Sequence, residues 1–315
     1  MERDSSRFAT AIVAALLFAI GSNAQQQPAT VSAKPRLENT GTPMQVDFEC
    51  TEEDLHVAGL PCTADDPCPV YLELAALEPV GAKIFVVGNI HTASATLYSV
   101  LLASEDSGKT WHEPFARIRE AVLDRIQFND FQRGWIGGQL VRILPRDPFL
   151  LLTTDGGSTW RRGPIFEESR VGAIELFRFD SPDSGTLWLD RSQSGETEAL
   201  YERYESQTGG ESWMLREVSS RPILKESQRH TPAVSGWRLI PHAGSDSYRI
   251  EKREGELWHA VATFLIPIGE CRPPEQLLPE PVAEPEQPPD EEPIAPPSSP
   301  AKRSSRPPTL KGKAP

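Results

Sequence analysis

The sequence is short of basic charge, of long apolar runs and of catalytic signatures, and each shortage removes a class of function. Lysine and arginine total 32 against 45 acidic residues, a formal net charge of −13. An acidic chain does not gather phosphate backbones or anionic headgroups, so nucleic acid and anionic lipid are set aside as main partners. Only one apolar run stands out, Phe8 to Ile20, and it is too short to span a bilayer. Lying behind Arg3 and Arg7 and ahead of Ser22-Asn23-Ala24, it reads as a secretory signal peptide over 1–24, with no transmembrane span left after its removal. There is no Cys-x-x-Cys pair, no two histidines four residues apart and no Gly-x-Ser-x-Gly element. Structural zinc, paired-histidine metal chemistry and a nucleophile elbow therefore lack their usual marks, and no metal or cofactor is expected.

Aromatic residues are missing from Pro273 to Pro315, a stretch that holds 14 of the 30 prolines. Such a segment cannot bury enough apolar surface to offset its ordering entropy, so 273–315 is expected to be a disordered Pro-rich tail. Its first half is acidic and its tip carries Lys302, Arg303, Arg306, Lys311 and Lys313. That tip suits contact with an anionic surface, a solvated spacer being the plainer reading. Residues 25–43 read as a polar linker, which leaves 44–272 for the folded domain. The cysteines are few but even in number: Cys50, Cys62, Cys68 and Cys271. In an exported chain they imply two disulfides, and with three clustered at the start of the domain one bridge must join its two ends. Which of the three meets Cys271 stays open.

What the chain does have is a recurrent hairpin. The first copy contains Ser104, Asp106, Gly108, Thr110 and Trp111; the second contains Thr153, Asp155, Gly157, Thr159 and Trp160. A third keeps Ser206, Gly210 and Trp213 but has Thr208 in place of the acid, and a remnant keeps only Gly255 and Trp258. The tryptophans lie 49, 53 and 45 residues apart, a period typical of repeat architectures. Trp135 and Trp188 each precede a motif tryptophan by 25 residues, Trp237 does so by 21, and Val86 takes the matching place in the first unit. Strand-forming segments such as Val70 to Leu74, Arg125 to Phe128, Ile174 to Phe179 and Phe149 to Thr153 surround these landmarks. The acid suits a tight turn, the glycine a positive φ, and the indole a buried place between sheets. The expected fold is all-β: a β-propeller of about four, or five, four-stranded antiparallel blades.

The pattern Ser/Thr-x-Asp-x-Gly-x-Thr-Trp resembles the Asp-box, or bacterial neuraminidase repeat. With the added Gly134-Trp135 strand, the chain is most similar to propellers related to the photosystem II assembly and stability factor, over roughly Val70 to Cys271. That resemblance implies a propeller scaffold, whose known members have six, seven or more blades. Sialidases also carry such boxes, but there the boxes are structural. Their chemistry needs three arginines, a tyrosine with a partner glutamate, and an Arg-Ile-Pro motif ahead of the first box. Here Arg238-Leu239-Ile240-Pro241 stands after the boxes, and Tyr201 and Tyr204 read as a structural face of a third strand. The acidic turns lack the alternating oxygen ligands of a calcium loop.

Two functions follow. The first is an exported, non-enzymatic propeller that binds or assembles an envelope or extracellular protein, using the irregular stretches Asp54 to Pro69, Asp190 to Glu198 and Ser219 to Ser235. The alternative is a carbohydrate-active or glycan-binding propeller using the central channel. Arginines and carboxylates converging at the channel mouth would favour the second.

Overall fold

A computed structural model describes residues 36–224 and 236–273. The expected leader, most of the linker, the tail from Pro274 onward and Lys225, Arg229 and His230 of the last loop lie outside the described residues. Strands dominate. The chain enters through β1 (Leu37–Glu38) and a short helix α1 (Glu52–Val57). The helix is started by a capping box: the Thr51 side chain accepts the Asp54 N–H, and the Asp54 carboxylate accepts the Thr51 N–H.

Blade 1 contains β2 (Cys68–Val80), β3 (Lys83–His91) and β4 (Thr96–Ser104), followed by the short β5 (Thr110–Trp111). β1 pairs with β5, Leu37 opposite Trp111, so the fold reaches back beyond Met44 into the expected linker. The reason is local: Leu37 packs on the first core, and the Asn39 side chain donates to the carbonyls of Gly108 and Val261. Blade 2 is the antiparallel run β6 (Ala121–Phe128), β7 (Gly134–Val141), β8 (Pro145–Thr153) and β9 (Arg161–Pro164). Blade 3 repeats it with β10 (Ala173–Phe179), β11 (Gly185–Asp190), β12 (Tyr201–Ser206) and β13 (Met214–Ser219). Blade 4 shows three described strands, β14 (Trp237–His242), β15 (Ser247–Glu254) and β16 (Leu257–Leu265). Finally β17 (Pro267–Cys271) returns to β2, with Cys271 opposite Cys68. The structure is thus an all-β propeller of four antiparallel blades.

Period-two alternation turns each sheet into a two-sided wall. Ile84 and Val86 face blade 4, whereas Phe85 and Val87 of the same strand face blade 2. Three hydrophobic clusters result, at the junctions of blades 4 and 1, 1 and 2, and 2 and 3. Each junction has an aromatic pair: Trp111 meets Phe264 edge-on at 5.2 Å, Phe85 meets Trp160 at 6.0 Å, and Trp135 stacks on Phe179 at 3.8 Å. Among the described residues no comparable cluster joins blade 3 to blade 4, so the blades run 4–1–2–3 through continuous core. The cysteines pair Cys50–Cys271 and Cys62–Cys68, at Cα separations of 5.1 and 5.2 Å. The first bridge ties the start of the domain to its last strand.

Two landmarks are displaced from their expected places: Val86 lies two residues beyond Ile84, which pairs with Ser104, and so faces the preceding blade whereas Trp135 faces the following one. Trp135 sits one residue beyond Gly134, which pairs with Thr153 at the head of the motif. Trp188 sits three residues beyond the matching Gly185–Ser206 pair. The equal spacing of 25 residues hides a longer connection between β11 and β12, so the two indoles share a face but not a position.

Candidate functional site

The recurrent motif lies at one end of the blades, between the third and fourth strands, and its polar groups are spent on its own turn. The Ser104 hydroxyl accepts the Gly108 N–H at 2.8 Å and donates to Asp106 at 2.9 Å. Asp106 accepts the N–H groups of Lys109 and Thr110 and the Thr110 hydroxyl, at 3.1, 2.9 and 2.7 Å. Partial desolvation would raise its pKa, but the bonds from Thr110, Ser104 and Lys109 outweigh it and bring the group to about 2. Trp111 Nε1 closes the turn on the Gly108 carbonyl at 3.1 Å. The second copy repeats each part with Thr153, Asp155, Gly157, Thr159 and Trp160, and Trp160 Nε1 reaches the Gly157 carbonyl at the same 3.1 Å.

The glycines face the preceding blade. Gly108, Gly157 and Gly210 have φ of 92°, 79° and 93°, and a Cβ on Gly157 would sit 2.4 Å from the Phe85 ring. In the third copy Ser206 still accepts the Gly210 N–H, and Thr208 accepts the Ser212 N–H as the aspartates accept theirs. Trp213 Nε1, however, is buried and has no hydrogen-bond acceptor. The fourth copy differs in kind: Gly255 and Glu256 form a two-residue hairpin between the paired Glu254 and Leu257. Gly255 meets nothing within 4 Å, and Trp258 lies under the Arg238 guanidinium instead. Arg238 is also held by Glu251, so Arg238 to Pro241 is an ordinary piece of β14.

The chemistry gathers at the opposite end, where each second strand crosses to the third and each blade passes to the next. Bridges of Tyr98 with Arg119 and of Arg146 with Val171 join these crossovers across blades. Around α1, the Tyr98 hydroxyl donates to Asp54 at 2.5 Å and accepts from Arg119 at 2.8 Å, while Arg119 also pairs with Glu53 at 3.0 Å. Arg142 pairs with Glu120 at 2.8 Å. In blade 3, Arg170 and Arg191 both hold Glu202, at 2.6 and 3.0 Å, and Arg191 also holds Glu196. Tyr204 donates to Glu202 at 2.6 Å and accepts from Arg170 at 2.9 Å.

This group and the one around Tyr98 both hold a nucleophile's ingredients, a tyrosine with a carboxylate and an arginine, and the blade 3 group is the more deeply buried. Its geometry points the other way. Glu202, Tyr204 and Arg191 are only 2, 5 and 7 % exposed. Burial first, and then Glu202, push the phenol well above its ordinary pKa, so it keeps its proton. The group is a sealed polar core that fixes the crossover into blade 3.

Three apolar side chains are exposed at this end. Ile143 and Leu144, on the β7–β8 connection, are 96 and 36 % exposed, and Val57 of α1 is 41 % exposed. The sequence signal for this surface was weak: only Arg142-Ile143-Leu144 betrays it. The helix could have been found from Thr51 and Asp54, the two ends of its cap. Two of the three expected loops, around α1 and between β11 and β12, lie at this end of their own blades.

The first strands of blades 1 to 3 carry a third feature. Each of β2, β6 and β10 has a bulge at the same place, leaving Ala75, Asp124 and Glu175 as the extra residues. Glu73 accepts from Asn89 at 3.0 Å and Asp124 from Gln139 at 3.4 Å. Burial raises the Asp124 pKa above the usual carboxylate range. Among the described residues no histidine joins a metal-binding group, and His112 lines a groove of about 330 Å³ on blade 1 with Leu37, Val46 and Arg117.

No family model matches the chain, and no curated protein sequence does. Solved structures that it resembles include YCF48 bound to D1 peptide, at 17% identity over 64% of this chain and 54% of that one, with a TM-score of 0.32. A GH74 xyloglucanase from Xanthomonas campestris matches at 18% identity over 42% and 18% of the two chains, TM-score 0.32. The alpha-L-arabinanase of Penicillium chrysogenum complexed with arabinobiose matches at 13% over 64% and 62%, TM-score 0.31. The chain spans less than two thirds of each. One of these structures holds a peptide and another a sugar, so the likeness selects neither class of ligand.

Proposed function

We propose that the protein is an exported, non-enzymatic propeller that binds or assembles an envelope or extracellular protein through the crossover end of its blades, with the motif turns serving as Asp-box scaffold. One observation carries this reading: Ile143, Leu144 and Val57 are exposed among arginines whose charges are already paired. Apolar anchors with an arginine-rich polar surround suit a protein partner better than a sugar, which needs open hydrogen-bonding groups. Two disulfides suit an oxidising compartment, and no described helix is long and apolar enough to cross a membrane. The test is site-specific photocrosslinking in the native envelope, with the probe at Ile143 or at Ser158 of a motif turn. Adducts from a probe at Ile143, adducts from a probe at Leu144 that vanish with Ile143→Asp, and none from Ser158, are expected. Equal labelling at both ends would sink the proposal.

A second reading, a glycan binder or hydrolase in the channel, draws on the raised Asp124 pKa beside Gln139. Release of sugar from a glycan panel by the wild type, lost in Asp124→Asn, would establish it in place of the first.

A further inference from the structure

The outer edges of the blades are not treated alike. A strand at a sheet edge offers unpaired backbone groups to any extended chain, and proteins blunt such edges with cover, charge, brevity or proline. In blade 1 the edge of β5 is covered by β1. In blade 2 the outer strand is only Arg161–Pro164, two arginines, a glycine and a proline. In blade 3 the outer strand β13 is six residues long, Met214-Leu215-Arg216-Glu217-Val218-Ser219, without proline or glycine. It pairs with β12 on one side, and no described strand takes the other. Met214, Leu215 and Val218 are 58, 47 and 46 % exposed, and no described residue covers them.

The residue order along this edge is complementary to itself. The bulge opposite Arg203 and Tyr204 makes Arg216 the extra residue of β13. Arg216 bonds Glu205 at 2.9 Å, and Glu217 bonds Arg203 at 3.1 Å. Arg216 and Glu217 therefore point to one face, while Leu215 and Val218, opposite Tyr204 and Glu202, point to the other. In an unbulged strand two neighbours would lie on opposite faces, and the pairing that follows would be impossible.

We propose that β13 pairs antiparallel with β13 of a second copy of this chain, about a two-fold axis normal to the sheet and centred between Arg216 and Glu217. Leu215 then opposes Val218 of the second copy, and Arg216 opposes Glu217 of the second copy. The symmetry supplies each contact twice. Apolar meets apolar on one face and opposite charges meet on the other, joining two four-stranded blades into one continuous sheet. The interface is small, so association is weak and concentration-dependent. It uses neither the crossover end nor the motif turns and stands apart from the proposed function.

Sedimentation velocity of the full chain, run up to submillimolar concentration, tests the pairing. The wild type is expected to show a monomer–dimer equilibrium, and Val218→Lys to stay monomeric. Arg216→Glu and Glu217→Arg each place like charges opposite one another twice and are expected to weaken the dimer about tenfold. The double variant R216E/E217R restores opposite charges across the pairing while setting like charges against Glu205 and Arg203, so it should dimerise more tightly than either single without reaching the wild-type constant, with circular dichroism reporting whether each variant folds. A wild type that stays monomeric throughout would overturn the proposal. So would a dimer indifferent to Val218→Lys and to both single reversals, or a double variant no stronger than the singles.

Discussion

Asp106 shows how one residue can be scaffold while looking like chemistry. Its carboxylate is held near a pKa of about 2 because it accepts two backbone N–H groups and two hydroxyls of its own turn. A carboxylate with all its lone pairs engaged has nothing left for a substrate. Asp106→Ala should cost about 2 kcal/mol in urea denaturation at neutral pH, while leaving partner binding unchanged. Because the folded pKa lies below the ordinary aspartate value of 3.8, the stabilisation is present above about pH 4 and is lost as pH falls toward 2. Glu78 behaves in the opposite sense. Burial between blades raises it from 4.5 to about 7, against the single N–H bond from Phe128. The folded state therefore binds the proton more tightly, and stability falls as pH rises from about 4.5 through 7. The full shift is equivalent to about 3 kcal/mol, reduced by the partial exposure of this half-buried group. Thermal melts of Glu78→Gln should match the wild type near pH 4 and exceed it at pH 8; equal melts at both would refute the assignment.

At the scale of elements, what was legible followed from backbone chemistry. Alternation or strand-forming residues marked β2, β6 and β10, an apolar run marked β8, and acid, glycine and indole marked the turns after β4 and β8, because each of those residue types has one structural use there. What escaped notice depended on contacts between distant residues. α1 is a six-residue helix with no periodic face, held by its cap and by Tyr98 and Arg119 from other elements. The crossover surface was illegible for the same reason: the partners of Arg170 and Arg191 lie up to 34 residues away on other strands. The fourth copy of the motif misled because Gly and Trp at the right spacing also suit a plain two-residue hairpin. Two alanine substitutions separate the cases. Gly157→Ala combines a φ of 79° with a clash against Phe85, and should cost about 3 kcal/mol. Gly255→Ala has a φ of 63° but open space, and should cost about 1 kcal/mol. Similar losses at the two sites in chemical denaturation would mean that the fourth turn supports a neighbouring blade after all.

At the scale of the whole molecule, the cluster of three cysteines against one indicated a tie between the ends, though not its members. The reason Cys50 is chosen lies in the path of the chain: Met44 pairs beside Phe264 of β16, Gln45 donates to the Ile268 carbonyl, and Arg117 donates to the Asp47 carbonyl. The segment is therefore already fastened along the final strands when Cys50 arrives beside Cys271. Cys62 and Cys68, by contrast, close a small loop at the head of β2. In the chain-entropy account the Cys50–Cys271 bridge, spanning 221 residues, is worth about 5 kcal/mol and the six-residue one about 2 kcal/mol. The strand pairing of β17 with β2 does not substitute for the longer tie, since its few hydrogen bonds sit at the sheet's edge and fray once the end is released. Cys50→Ser with Cys271→Ser should therefore lower stability by more than Cys62→Ser with Cys68→Ser. It should also expose the β17 amides to hydrogen exchange ahead of global unfolding. If the short bridge proves the more stabilising, or β17 stays protected without its tie, the last strand is held by packing of Ile268 alone and the disulfide does not close the blades.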